Sequence, residues 1–168
     1  MRAFIAIRFN EPVIRVLAAA QDELRTYDKY ANYTRRENLH LTLAFIGETD
    51  RTDDIVRIME NCAGAPFSIA ICGSGDFGGE LFWAGIENAP ALAALAKHLQ
   101  KSLSTEGFDI QRHSFVPHIT LARQVRRGGG VRLNIPKTLM TVGSISLMKS
   151  ERIGGKLVYS EVKRVEMK

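Results

Sequence analysis

The sequence predicts an α+β fold, and three observations carry that expectation. A strand–helix–strand pattern occurs twice, strands and helices mix without the regular alternation of a doubly wound sheet, and two long strands close the pattern around Gly154-Gly155. The duplication is anchored by His40-Leu41-Thr42-Leu43 and His118-Ile119-Thr120-Leu121, an offset of 78 residues (118 − 40). At that offset Phe4 falls on Phe82, Ala6 on Ala84, Asn10 on Asn88, Pro12 on Pro90, Leu17 on Leu95, Ala18 on Ala96 and Ala44 on Ala122. With the motif identities these make ten matches, where about two or three are expected by chance.

Each element follows from local pattern. Residues 3–9 alternate as a strand, and a helix runs from Glu11 to about Tyr27, with Asn10 as N-cap and Pro12 in its first turn. Val13, Val16, Leu17, Ala20 and Leu24 form its apolar stripe. Leu39 to Ile46 make the first His strand, and a helix from Asp53 to Cys62 follows Thr52 as candidate N-cap. Phe67–Cys72 and Leu81–Glu87 read as strands joined by a glycine-rich turn at 73–79. An Ala/Leu-rich helix spans Pro90 to about Thr105, and the second His strand covers His118 to Gln124. Gly128-Gly129-Gly130 reads as a flexible loop, and strands at 139–149 and 156–166 close the pattern.

The bulk properties bound the function without fixing it. A chain of 168 residues with 45% hydrophobic and 24% charged content fits a single domain over 1–168, with no linker. No apolar run approaches the roughly 20 residues of a bilayer span, and the apolar start is too short for a signal peptide. Cys62 and Cys72 make neither a disulfide framework nor a metal-ligand spacing, so a cytoplasmic location is expected. The formal net charge of +5 suits a polyanionic partner such as RNA.

The motif pair carries the chemistry. On a strand, His and Thr two residues apart share one face while the aliphatics between them face the core. Two such pairs facing each other flank an anion with two titratable imidazoles and two hydroxyl donors, His40 with Thr42 and His118 with Thr120. One imidazole can accept a proton from water while the other donates to a leaving oxygen, with no metal or cofactor required. Arg123 stands two residues beyond the second motif's Leu121, and strict alternation places it opposite His118. A phosphate-binding role for it therefore requires a bulge at the strand end; surface charge is the equal alternative. Arg35, Arg36, Arg126 and Arg127 are candidate RNA contacts. His98 reads as a surface residue, Phe115 as core, and His113 with His118 lacks the partners of a metal site.

The two His-x-Thr-hydrophobic motifs resemble those of the two-histidine phosphoesterase superfamily, and the chain looks like its RNA 2′,3′-cyclic phosphodiesterase branch, long called bacterial and archaeal 2′-5′ RNA ligases. The likeness includes Arg2-Ala3-Phe4-Ile5-Ala6-Ile7, Glu37-Asn38-Leu39-His40-Leu41-Thr42-Leu43, Phe115-Val116-Pro117-His118-Ile119-Thr120-Leu121-Ala122-Arg123, Phe82-Trp83, and Ser150 to Tyr159. The resemblance implies a bilobal fold with antiparallel sheets around a central cleft and pseudo-twofold symmetry. It implies hydrolysis of RNA 2′,3′-cyclic phosphate ends to 2′-phosphomonoesters, with His40 as proton donor, His118 as proton acceptor and Arg123 near the phosphate. The expected partner is an RNA or nucleotide with such an end, and the expected state a monomer. Alternatives are 2′-5′ ligation, cleavage of 2′-5′ oligonucleotides, or a non-catalytic nucleotide-binding module.

Overall fold

The computed structural model of the chain describes residues 1–110 and 115–168, so His113 lies outside the described residues. The elements are β1 (Arg2–Arg8), α1 (Glu11–Arg25), β2 (Asn32–Tyr33), β3 (His40–Glu48), α2 (Thr52–Cys62), β4 (Phe67–Phe77), β5 (Leu81–Ile86), α3 (Pro90–Thr105), β6 (His118–Arg123), β7 (Thr138–Val142), β8 (Ser144–Ile153) and β9 (Lys156–Glu166). They build two antiparallel sheets, one ordered β3-β1-β8-β9 and the other β2-β6-β5-β4-β7. The fold is α+β and bilobal, as the sequence implies. Each lobe pairs the first strand of a repeat with its His strand: β1 with β3, β5 with β6.

The helices form where capping and periodicity place them. Asn10 accepts a hydrogen bond from the Val13 amide and caps α1, whose Val13, Leu17, Ala20 and Leu24 are buried. The apolar stripe of α3 is Leu92, Leu95, Ala96, Leu99 and Leu103. At α2, Thr52 is already helical and Arg51 occupies the cap position without a side-chain capping bond to the helix backbone. Two aspartates in that first turn, Asp53 and Asp54, complement the helix dipole instead.

Two expectations about strands and one about a loop need correction. The stretch 139–149 is not one strand: it breaks at Gly143, sending Val142 to pair with Phe67 in one sheet and Ser144 with Glu166 in the other. An uninterrupted apolar run cannot reveal that its halves serve different sheets. The glycine-rich segment is mostly strand, because β4 continues through a bulge to Phe77 and only then turns. Gly75 is needed there, since a Cβ would stand 2.3 Å from the Trp83 indole. Gly128 is buried against Phe82, where a Cβ would come within 2.5 Å of the ring, so this part of the triple glycine is packed rather than loose.

The duplication is real in space but not at one offset. Arg8 lies opposite His40 and Gly85 opposite His118, which relates the first strands by 85 − 8 = 77. The buried residues Val13 and Leu92 relate the helices by 92 − 13 = 79. Only the His strands keep 78. Phe4 and Phe82 consequently differ: Phe4 packs with Ala6, Met148 and Tyr159 on the face that carries His40, whereas Phe82 lies in the main core. Connections of unequal length explain why an ungapped shift pairs the strands one residue out of phase.

The helices also cross over. Helix α1, from the first repeat, packs against β6 and β7, while α3, from the second, packs against β3. Strands β3 and β6 approach each other at the seam between the sheets, which sets the two His motifs across one cleft.

Candidate active site

Both motifs adopt the alternation their sequences require. In β3, Leu41 and Leu43 are buried while His40 and Thr42 are half-buried on the other face; in β6, Ile119 and Leu121 are buried behind His118 and Thr120. The two imidazoles are held alike. His40 Nδ1 lies 2.7 Å from the Asn38 carbonyl, and His118 Nδ1 lies 2.8 Å from that of Val116. A carbonyl only accepts, so each Nδ1 carries a proton and each neutral imidazole keeps its lone pair on Nε2. His40 Nε2 is 2.8 Å from Thr42 Oγ1.

Residues distant in sequence complete each ring's surroundings. Asn38 is buried; its Nδ2 donates to the Leu157 carbonyl at 2.9 Å, and its Oδ1 accepts from the Tyr159 amide at 3.4 Å. Tyr159 then stands edge-on to His40, with centroids 5.2 Å apart, and Phe4 packs 5.0 Å away. Phe77 plays the same part at His118, edge-on at 5.1 Å, and Trp83 supports it from 5.6 Å. Spacing and periodicity do not single out Asn38, Phe4, Tyr159 or Phe77, although the first three lie in stretches that carry the family resemblance. The polar Asn38 two residues before His40 is the nearest to a local signal.

Arg123 reaches the cleft because β6 bulges. Ala122 pairs with Phe82 and Thr120 with Trp83, leaving Leu121 as the extra residue. Leu121 and Ala122 are therefore buried consecutively, and the alternation reverses so that Arg123 shares the face of His118. Strand β3 bulges at the matching place: Ala44 pairs with Ile5 and Thr42 with Ala6, with Leu43 extra. Phe45, which is 63% exposed, is thereby turned to the His40 face. Each bulged carbonyl meets a glutamine from a helix of the other repeat. Gln100 Nε2 donates to Leu43 O at 2.9 Å, and Gln21 Nε2 to Leu121 O at 2.9 Å. Both glutamines sit in otherwise apolar helix stripes, the one sequence signal that marks them.

Burial lowers the pKa of His40 from its ordinary 6.5; the Asn38 carbonyl works against that, and the positive charges of Arg123 and His118 add to it. The other arginines divide. Arg35 pairs with Glu37 and Arg36 with Glu11, both on the exposed surface. The amide of Arg126 donates to Asp28 Oδ2 at 2.7 Å, which ties the arginine loop to the turn before β2, where Asp28 Oδ1 accepts from Tyr30 at 2.9 Å. Arg126 and Arg127 themselves are exposed, as is His98, and Phe115 is half-buried against the core. Among the described residues no group of three or more His, Cys, Asp or Glu side chains could hold a metal ion, and no helix is long and apolar enough to cross a membrane.

Comparison with known proteins gives the family. The family model of the 2′-5′ RNA ligase superfamily matches residues 14–153. The chain belongs to that superfamily. Among curated relatives, an RNA 2′,3′-cyclic phosphodiesterase of Thermotoga maritima is 38% identical over 132 residues, covering 73% of this chain and 70% of the relative. One of Methanothermobacter thermautotrophicus, of the same name, is 28% identical over 180 residues, covering 96% of each. Among solved structures, TT0787 of Thermus thermophilus superposes with a TM-score of 0.87 at 27% identity, covering 99% of this chain and 98% of its own. Escherichia coli LigT complexed with 3′-AMP gives a TM-score of 0.87 at 22% identity, covering 99% and 96%, and shares the fold.

Proposed function

We propose that this protein hydrolyses RNA 2′,3′-cyclic phosphate ends to 2′-phosphomonoesters. The observation that carries the reading is the matched pair of imidazoles, each with Nδ1 fixed by the carbonyl two residues before it and Nε2 left for chemistry, across one cleft. The superfamily relatives named for this activity support the substrate class.

In the reaction, a water attacks phosphorus and gives its proton to His118 Nε2. The bond from phosphorus to the 3′ oxygen breaks, and His40 Nε2–H protonates that oxygen, leaving a 2′-phosphate and a free 3′ hydroxyl. Acid and base each contribute about 10²–10⁴ in rate. Neutral His40 accepts the Thr42 hydroxyl proton at Nε2; protonation removes that lone pair, so Nε2–H serves the 3′ oxygen and the threonine hydroxyl is free to donate to a non-bridging phosphate oxygen. Thr120 serves the phosphate from the opposite strand, and Arg123, turned inward by the bulge, neutralises its charge.

The test is ³¹P NMR of a cyclic-phosphate-ended oligoribonucleotide with protein and EDTA, beside His118→Ala. Conversion to a 2′-phosphate that is lost in the variant is expected. An unchanged cyclic phosphate in the presence of the intact protein would overturn the reading.

A further inference from the structure

We propose that Arg8 and Arg164 form a second phosphate subsite that holds an internal phosphodiester of the RNA leading to the cyclic end. The inference rests on the phosphodiesterase reading and narrows its substrate to a polynucleotide.

The His40 face of the β3-β1-β8-β9 sheet extends beyond the imidazole. Arg8 is the direct cross-strand neighbour of His40, and Ser146 lies opposite Ala6 on β8, with Arg164 opposite Ser146 on β9. Adjacent strands are about 4.8 Å apart, so these groups stand about 5 to 15 Å across the sheet from His40, the reach of one or two nucleotides.

Two depressions adjoin this row at Arg8, the cross-strand neighbour of His40. One, of about 310 Å³, is lined by Arg8, Phe9, Leu39 and Arg36 together with Glu11 and Glu37, carboxylates that are already paired with Arg36 and Arg35. Arg8 and Phe9 also line a second depression of about 360 Å³, whose far wall is Ser144, Ser146 and Arg164. Arg8 thus stands where the two meet.

Glu161 organises the two guanidinium groups. Its Oε2 accepts from Ser146 Oγ at 2.7 Å and lies 3.4 Å from Arg164 Nε and 3.5 Å from Arg8 Nη1, while Oε1 is 3.3 Å from Arg164 Nη2. Among the described residues these long contacts leave most of the ten N–H donors of the two arginines (about five each) without a partner, on side chains that are about half exposed. One carboxylate against two guanidinium groups leaves a net positive charge, and hydroxyls of Ser144 and Ser146 line the floor. Phosphodiester oxygens match that set: a single negative charge with acceptors spaced for a guanidinium fork.

The experiment compares kcat/KM for a cyclic mononucleotide and for a short oligoribonucleotide with the same cyclic end, using the intact protein and Arg8→Gln/Arg164→Gln. The double variant is expected to lose about tenfold on the oligonucleotide, with turnover of the mononucleotide preserved, which also shows that it folds. Replacing the first internal phosphate by a neutral methylphosphonate should cost the intact protein about the same factor and the variant nothing further. The dependence of log kcat/KM on log salt should fall by about 0.7 per phosphate contact removed. Equal loss on both substrates, or no loss on the oligonucleotide, overturns the subsite while leaving the hydrolase reading intact. Failure of the intact protein on both substrates overturns the hydrolase reading itself.

Discussion

The side-chain amide of Gln100 donates to the carbonyl of Leu43, the residue that β3 carries in excess of its partner β1. A bulge strips a strand carbonyl of its ladder partner, and a helix from the other repeat supplies a replacement. The bond therefore maintains the reversal that presents Phe45 to the cleft, as the bond from Gln21 to Leu121 does for Arg123.

Replacing Gln100 by Met keeps volume and removes the donor. A buried carbonyl without a partner costs about 1–3 kcal/mol, and urea denaturation should show that loss. Gln21→Met should cost less at Leu121, whose carbonyl also accepts from the Thr34 amide at 3.0 Å, yet it strips Thr34 O of its 2.7 Å bond. Because Gln21 supports Arg123, its variant should raise KM more than it lowers kcat. A pure stability loss with KM unchanged would separate the bulge from substrate binding.

Alanine at His40 or His118 should lower kcat by about 10²–10⁴ each, with the double variant far less than additive. Single-turnover hydrolysis reads this directly. A variant retaining full activity would show that its imidazole moves no proton.

The pH dependence has a defined sign. In the proposed reaction His40 is the donor and must hold a proton, so activity should fall as pH rises through its pKa. Burial first, and then the charges of Arg123 and His118, lower that pKa. Arg123→Gln removes one of those charges and should move the alkaline limb of kcat/KM upward. The bound phosphate anion favours imidazolium, so the limb in kcat should lie above that in kcat/KM. A limb that shifts downward in Arg123→Gln would assign it to another group.

Asp28 gives a second pH signature. Hydrogen bonds from the Arg126 amide, and next from that of Tyr30, hold its pKa below the ordinary 3.8. The folded pKa is the lower one, so its stabilisation is complete above the unfolded value and disappears as pH falls through the folded value. Asp28→Asn should flatten this part of the acid unfolding profile and accelerate hydrogen exchange at the Arg126 amide. An unaltered exchange rate there would mean that the arginine loop holds without Asp28.

What could be read from the sequence divides along physical lines. His40, Thr42, His118 and Thr120 were legible because period-two alternation is local and needs no partner. Spacing alone left Arg123 open between phosphate and surface, and only the family resemblance implied the phosphate, because the residue that stabilises its bulge, Gln21, lies a hundred positions away. The stretch 139–149 looked like one strand because hydrophobicity records burial, not which sheet does the burying; only Gly143 marks the switch. The repeat offset was legible at the His strands, where the motif pins it, and misleading at Phe4 and Phe82, where unequal connections shift the phase.

The crossed helices have a consequence for how the molecule comes apart. Since α1 braces β6 and α3 braces β3, each half of the duplication is completed by the other, and neither can melt while its sister persists. The repeats are thus distinct in sequence but inseparable in cooperativity. Loosening one imidazole's strand should be transmitted to the other as a shared loss of amide protection.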